Sequence, residues 1–326
     1  MVARLLAMRA PVRGFSHAWR SLGAFALVVA ASSATGCVEC GRRAPDPGPA
    51  EAVLIERIAL PGAKLRGLSG LARPPSGGDR YYAVAERLHH LVPVQIDDAG
   101  IVAGPPIPLE GVDADLDVEG LAFVDDGTLV LATEADHQRD SEKMLFARFS
   151  PDGAQVFRLV EFDYEAWGLV PTRNRGLEGI CAIGRHVVAA SEMVGEDAGR
   201  RWSPVATFDL VEEAWTPYRV FLTSDTGKLS GLACTQVGGA LEVTAIERHF
   251  DLLHVVRFRL DGAGGDVQAQ TIGDLRPGFD ETPPNFEGLE RAAPGVYFLI
   301  TDNDWRGVRG PTEIIRWEEP AAAAVR

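Results

Sequence analysis

The chain has 326 residues, 46% of them hydrophobic, and a formal net charge of −14 at pH 7. An acidic chain repels the phosphates of nucleic acids, so a nucleic-acid partner is not expected. After residue 36 there is no apolar run of 18 residues, so we expect no membrane-spanning helix in that part of the chain.

The first 36 residues have the pattern of an export signal. Four arginines and no acidic residue accompany an apolar run, 22–31, that is too short to cross a bilayer. Small residues precede Cys37, as in the lipobox of bacterial lipoproteins, although Ala34 stands where that motif usually has leucine. We therefore expect a lipoprotein signal peptide at 1–36 and a lipid on Cys37. Ordinary signal cleavage nearby, with Cys37 unmodified, is the alternative.

The location follows from the same segment. Val38 rather than aspartate follows Cys37, so the pattern for retention in the inner membrane is absent. We expect the protein in the cell envelope, anchored at the outer membrane. Residues 37–52 are rich in proline and glycine, as in a tether, and 53–320 has a length that suits one monomeric domain.

From residue 68 onward, one short pattern occurs five times. Each copy begins with Ser or Glu, then Gly, then Leu or Ile, and continues as two strands separated by a turn. The five motif glycines are Gly70, Gly120, Gly179, Gly231 and Gly288. The second strand of each copy ends on a carboxylate, namely Glu86, Glu134, Glu192, Glu247 and Asp302. A period of about 50 residues made of short strands is typical of a β-propeller with one blade per repeat.

The pattern predicts an all-β chain with five four-stranded blades, or six if one blade carries no recognisable motif. The fifth blade has only three strands, near 287–292, 295–302 and 312–318. A strand-like run at 53–60 precedes the first blade without a partner of its own. We expect it to pair with 312–318 as the outer strand of the fifth blade, because such closure removes an open sheet edge.

Two cysteines lie in the first strands of neighbouring copies. Cys181 is two residues after its glycine, and Cys234 is three residues after its own. Because strand side chains alternate between faces, the spacing predicts that the two thiols point to opposite sides. We therefore expect buried free thiols rather than a disulfide. The domain has no Cys-x-x-Cys or His-Glu-x-x-His pattern, which disfavours a familiar zinc site.

Propeller geometry brings the polar positions of the repeats to one face. The first strand starts where the second strand ends, so the motif residue and the strand-end acid of every blade should surround one mouth of the central channel. In two blades an arginine directly follows the acid, and we expect local pairs Glu86–Arg87 and Glu247–Arg248. The other three blades lack that arginine, so the predicted site consists of Glu119, Glu134, Glu178, Glu192, Glu287 and Asp302.

Crowded carboxylates repel one another unless a positive charge balances them. Ca²⁺ accepts six to eight oxygen ligands without strict geometry, so we expect Ca²⁺ or Mg²⁺ in the mouth. Arg175 and Arg306 are the candidate clamps for a substrate phosphate. An architectural role is the alternative for these acids, because motif glutamates can bond backbone amides between blades and a position repeated in every blade suits a structural role.

These motifs resemble those of the phytase-like family, the domains described by esterase-like activity of phytase. The similar segments are 174–179, 285–289, 301–304 and the strand-end pairs 133–134 and 191–192. The resemblance covers most of 66–305. It implies a secreted or lipid-anchored propeller whose acidic residues act on phosphoesters, and it assigns no catalytic residue to this chain.

Three functions follow as hypotheses. The preferred one is a lipid-anchored propeller that binds a divalent cation and hydrolyses a small anionic phosphoester. The second is a non-catalytic propeller that holds an envelope protein or glycan in the same mouth. The third is a gluconolactonase-like hydrolase, which would also use a metal bound by carboxylates.

Overall fold

The computed structural model of the chain describes part of its length, and everything below refers to that part. The described residues are 54–60, 67–135, 143–170, 172, 175–280, 282–303 and 311–320. All of them belong to one of the two units into which the chain divides, Pro47–Arg326. Cys37, the signal segment, the tether and Arg306 lie outside the described residues. No helix among the described residues has the length and apolar character needed to cross a membrane.

Strands make up nearly all of the regular structure. Strand β1 precedes the first blade and is Leu54–Leu60. The first blade contains β2 (Leu68–Ala72), β3 (Arg80–Ala85), β4 (His90–Asp97), β5 (Gly100–Ala103) and β6 (Ile107–Glu110). The second contains β7 (Leu116–Phe123), β8 (Leu129–Ala135), β9 (Lys143–Ser150) and β10 (Gly153–Glu161).

The remaining blades follow the same order. The third contains β11 (Leu177–Ile183), β12 (His186–Ser191), β13 (Gly195–Asp197), β14 (Arg200–Asp209) and β15 (Ala214–Phe221). The fourth contains β16 (Lys228–Val237), β17 (Ala240–His249), β18 (Leu252–Leu260), β19 (Gly265–Gln268) and β20 (Gln270–Asp274). The fifth contains β21 (Asn285–Ala293), β22 (Val296–Asp302) and β23 (Thr312–Glu318). Two short 3-10 helices, Tyr164–Trp167 and Arg276–Gly278, lie between blades.

The ring closes as the sequence predicts. Strand β1 pairs antiparallel with β23, and the fifth sheet has the order β1-β23-β22-β21. The inner strands contact one another in the cyclic order β2, β7, β11, β16, β21 and back to β2. The described residues therefore form a β-propeller of five blades, with no sixth blade in the ring.

The outer strands of the first and fourth blades differ from the prediction, because each is divided into two pieces. One piece of each pairs parallel with the outer strand of a neighbouring blade, β6 with β10 and β19 with β15. Backbone hydrogen bonds therefore link blade one to blade two, and blade three to blade four, at the rim of the propeller.

The motif glycine is needed because neighbouring inner strands approach backbone to backbone. A Cβ added to Gly120 would lie 2.8 Å from the carbonyl oxygen of Glu178 in the next blade. A Cβ on Gly288 would lie 2.7 Å from the carbonyl oxygen of Ser69, which closes the ring. The other three motif glycines meet the next blade in the same way. The glycine of the repeat is thus the contact between consecutive blades.

The apolar residue that follows each glycine fills the seam between two blades. Five buried apolar clusters occupy the five seams, and each contains one of these side chains: Leu71, Leu121, Ile180, Leu232 and Leu289. Full burial of such a side chain stabilises the fold by about 1.5–3 kcal/mol. The repeat therefore encodes the joining of blades as well as the blades themselves.

The prediction of free thiols at Cys181 and Cys234 is wrong, because the two residues form a disulfide with a Cα–Cα distance of 5.7 Å. The alternation of faces holds, since the two cysteines do point to opposite faces of their own strands. However, propeller blades stack face to face, so one face of a blade packs against the opposite face of the neighbouring blade. The bond spans 53 residues and joins β11 to β16. In the chain-entropy description a loop of this length stabilises the fold by about 4 kcal/mol.

Replacing a motif glycine should loosen the ring. In Gly231→Ala the new Cβ would lie 2.6 Å from the amide nitrogen of Leu289 and 2.7 Å from the carbonyl oxygen of Glu287, so β16 must move away from β21. Overpacking of this kind typically costs about 1–3 kcal/mol. We expect a loss of that size in the free energy of unfolding measured by urea denaturation.

Gly104→Ala is the matched control, because a Cβ there meets Pro93 at an ordinary distance of 3.4 Å. Equal stabilities of Gly231→Ala and Gly104→Ala would contradict the close approach of the inner strands.

Candidate functional site

A shift in strand pairing places the motif side chains at the central channel. In β11 the register shifts between Leu177 and Gly179, and in β21 between Phe286 and Gly288. The first strands of the other three blades shift at the same point of the motif. Such a register shift is a β-bulge: one strand has an extra residue, which bends the strand and changes the direction of its side chain. The Ser or Glu of each motif is consequently released from the regular ladder at the mouth.

The first acidic cluster consists of Glu86, Asp117 and Glu119. One carboxylate oxygen from each lies within 4.8 Å of the other two. Glu119 is only 5% exposed, and within the described part of the chain no donor hydrogen-bonds to it. Arg87 is the nearby cation, with Nη2 at 3.5 Å from Glu86 Oε1 and Nε at 3.7 Å from Asp117 Oδ2, but its side chain is 63% exposed. This cluster therefore contains a carboxylate that accepts no hydrogen bond from another described residue.

The second acidic cluster consists of Glu134, Glu178 and Glu192, whose oxygens also approach within 4.8 Å of one another. Unlike the first cluster, it contains an ammonium group. Lys228 Nζ is in contact with Glu192 and lies 3.8 Å from Glu178 Oε1. Glu134 Oε2 accepts a hydrogen bond of 3.0 Å from the amide of Gly176. Each member of this cluster thus has a positive or donating partner.

Arg248 joins the third, fourth and fifth blades at the mouth. Its Nη2 donates to Glu287 Oε1 at 2.7 Å and lies 3.5 Å from Glu178 Oε2. Asn285 Nδ2 donates to the same oxygen of Glu287 at 2.7 Å and to Asp302 Oδ2 at 3.3 Å. Glu287 and Asp302 are therefore held in a polar network, which favours the architectural alternative for these two acids.

One of the two predicted local pairs is wrong. Glu247 is fully buried and accepts hydrogen bonds from the amides of Thr223 and Ser224 at 2.9 and 3.0 Å, so it holds a loop in place. Arg248 points instead to Glu178 and Glu287, because successive side chains of a strand leave from opposite faces. The other pair, Glu86 with Arg87, is present at 3.5 Å.

The two predicted phosphate clamps do not gain support from contacts. Arg175 is exposed beside the start of β11, and Arg306 lies outside the described residues. Lys228 and Arg248, which together with Arg87 contact the mouth acids, are not among the predicted site residues. Neither are Glu86, Asp117 and Asn285.

A positional signal could have identified three of the missed residues. Asp117, Lys228 and Asn285 each lie two positions before the Ser or Glu of their motif. Residues two apart in a strand share a face, so this position also belongs to the mouth. The glycine found there in the first and third copies hides the pattern.

Burial and mutual repulsion keep protons on several mouth acids. Burial, then the negative charge of neighbouring acids, raises the pKa of Glu86 to about 8. The pKa of Glu134 and that of Glu287 are likewise raised by burial to about 8, against the opposing effect of the Gly176 amide and of Arg248 respectively. For Glu119 burial comes first, followed by four neighbouring glutamates, and its pKa lies well above the ordinary value. Burial also lowers the pKa of Lys228.

Comparison with known proteins gives a family and distant structural likenesses. Residues 63–305 match the model of the phytase-like family, described by esterase-like activity of phytase. No curated protein matches the sequence.

Solved structures with similar strand arrangements share little sequence with the chain. The PQQ-bound aldose sugar dehydrogenase of Streptomyces coelicolor is 12% identical over 82% of this chain and 98% of that one, with a TM-score of 0.43. A thermostable family-43 glycoside hydrolase is 10% identical over 82% and 93%, with a TM-score of 0.49. The exo-β-1,3-galactanase of Phanerochaete chrysosporium is 12% identical over 81% and 64%, with a TM-score of 0.49. These TM-scores are too low to support a functional argument, and the fold follows from the strand pairing itself.

The raised pKa values predict that the metal-free protein loses stability as the pH rises. Between the ordinary pKa of 4.5 and the folded-state value of about 8, the unfolded chain releases the protons of Glu86, Glu134 and Glu287 while the folded chain keeps them. The stabilisation is complete below pH 4.5 and is lost as the pH rises through 8. We expect urea denaturation in chelator to show a falling free energy of unfolding from pH 5 to pH 8.5.

Glu134→Gln should make this decline shallower, since glutamine keeps an acceptor for the Gly176 amide but does not titrate. Glu212→Gln, at an exposed position, is the control and should leave the slope unchanged. A free energy of unfolding that rises between pH 5 and pH 8.5 would show that the mouth acids are ionised without cost.

Proposed function

The chain belongs to the phytase-like family, and on this premise we propose that its mouth binds a divalent cation and hydrolyses a phosphoester. The observation that carries the proposal is an imbalance of charge. The mouth carboxylates are Glu86, Asp117, Glu119, Glu134, Glu178, Glu192, Glu287 and Asp302. Among the described residues, the cationic side chains in contact with them are Arg87, Lys228 and Arg248. Hard oxygen donors in such excess are the ligands that Ca²⁺ and Mg²⁺ take.

The side chains of the mouth offer both kinds of proton carrier that hydrolysis requires. When bound, the cation would polarise the phosphoryl oxygens and favour ionisation of water. The oxygen of water forms the new bond to phosphorus, the bond from phosphorus to the ester oxygen breaks, and the products are phosphate and an alcohol. An ionised carboxylate can take the proton of the attacking water. Glu134, whose pKa of about 8 keeps it protonated at neutral pH, can give a proton to the leaving oxygen.

The activity is tested on a panel of phosphoesters. We expect hydrolysis of p-nitrophenyl phosphate, bis-p-nitrophenyl phosphate or inositol hexakisphosphate in the presence of Ca²⁺ or Mg²⁺. A chelator should reduce the rate to the background level, and added metal should restore it. Ca²⁺ at a hundredfold excess over its dissociation constant should also stabilise the fold by about 2.7 kcal/mol, seen as a rise in melting temperature.

A melting temperature that is the same in Ca²⁺, Mg²⁺ and chelator, together with no turnover of any ester, would refute the proposal. Stabilisation by Ca²⁺ without turnover would favour the second function, a binding propeller for an envelope ligand. The network of Arg248, Asn285 and Glu287 is the observation that suits that function, because it fixes the mouth without leaving these groups available for chemistry. Turnover of lactones instead of phosphoesters would favour the gluconolactonase-like function.

We also propose that the propeller is tethered to the outer membrane through a lipid on Cys37. The proposal rests on the leader and on the small residues before this cysteine. Cys37→Ser should move the protein from the membrane fraction to the soluble fraction after cell fractionation. Cys40→Ser, three positions later, is the matched control and should remain in the membrane fraction. Equal membrane association of the two variants would rule out the anchor.

A further inference from the structure

We infer that the divalent cation binds in the first acidic cluster, Glu86, Asp117 and Glu119. In the second acidic cluster the ammonium group of Lys228 takes the place of a metal ion. The inference rests on the proposed function, because it divides the mouth that this function requires. It differs from the sequence-based prediction, which placed Glu119 and the members of the second cluster in one site and left out Glu86 and Asp117.

The second acidic cluster already holds a cation of the protein itself. The ammonium of Lys228 contacts Glu192 and lies 3.8 Å from Glu178, with its side chain only 24% exposed. Arg248 adds a second positive charge 3.5 Å from the other oxygen of Glu178. A divalent ion entering between these carboxylates would have to displace a partly buried ammonium and approach a guanidinium. Coulomb repulsion at such separations is several kcal/mol even at an effective dielectric constant of about 20.

The first acidic cluster has the opposite character. Glu119 is about nineteen-twentieths buried, and no hydrogen bond from another described residue reaches its carboxylate. A buried polar group in this position costs free energy unless a ligand satisfies it. The register shift of β7 between Val118 and Gly120 aims this side chain toward Glu86 and Asp117. Arg87 lies beside this cluster, and its side chain is 63% exposed, in contrast to the more buried Lys228 of the second cluster.

The two clusters also differ in which blades provide them. Glu86, Asp117 and Glu119 come from blades one and two, whereas Glu134, Glu178 and Glu192 come from blades two and three. The mouth is therefore divided into a side that takes an external cation and a side neutralised by Lys228 and Arg248. A single calcium ion per chain is expected.

Isothermal titration of the purified protein with CaCl₂ at pH 8 tests the assignment. The wild type should bind one equivalent. Glu119→Gln should weaken binding at least tenfold, and Glu192→Gln, its counterpart in the second cluster, should change the affinity by less than threefold. Lys228→Met should raise the number of calcium ions bound per chain from one to two, because it removes the ammonium from the second cluster without adding a charge.

Melting temperatures in chelator establish that each variant is folded, and Asp117→Asn serves as a second variant of the first cluster. A loss of binding in Glu192→Gln with retention in Glu119→Gln and Asp117→Asn would overturn the assignment. An unchanged stoichiometry in Lys228→Met would overturn the role of the lysine. A wild type that binds no calcium would remove the proposed function together with this inference. Calcium binding without ester hydrolysis would remove only the enzymatic part.

Discussion

The close approach of five inner strands is the constraint on which the rest of the structure depends. Each strand passes its neighbour at a glycine, where the backbone of the next blade lies too near for any side chain. The apolar residue after the glycine then reaches the seam between blades, and the polar residue before it is displaced to the mouth by a shift in register. One three-residue motif thus sets the spacing of the ring, the packing between blades and the polarity of the channel entrance.

The same constraint makes the mouth electrostatically costly. A narrow ring brings the motif residues of all blades together, and three of them are glutamates. The protein reduces the cost in different ways around the mouth: a partly buried lysine on one side, an arginine and an asparagine on another, and protonation where the pKa is raised to about 8. Glu119 also has a raised pKa, but among the described residues it has no hydrogen bond and no ion pair. A carboxylate that the surrounding side chains do not compensate is where function is expected.

Most of the fold could be predicted because it is periodic. The repeat of Gly70, Gly120 and their equivalents gave the number of blades, and the unpaired run before the first blade gave the closing strand. The disulfide does not follow from the alternation of side chains within one strand, because Cys181 and Cys234 meet between stacked sheets. The site was predicted only as a set of acids. Their division into two clusters depends on the directions of the Lys228 and Arg248 side chains. These directions are set by packing between blades, so a local sequence pattern does not predict them.

The most direct test is a crystal structure of the protein grown with Mn²⁺ in place of Ca²⁺, with anomalous scattering used to locate the ion. The account predicts one strong anomalous peak coordinated by Glu86, Asp117 and Glu119, and Lys228 Nζ still against Glu192. A peak between Glu134, Glu178 and Glu192 with Lys228 displaced, or a mouth without any peak at saturating Mn²⁺, would contradict it.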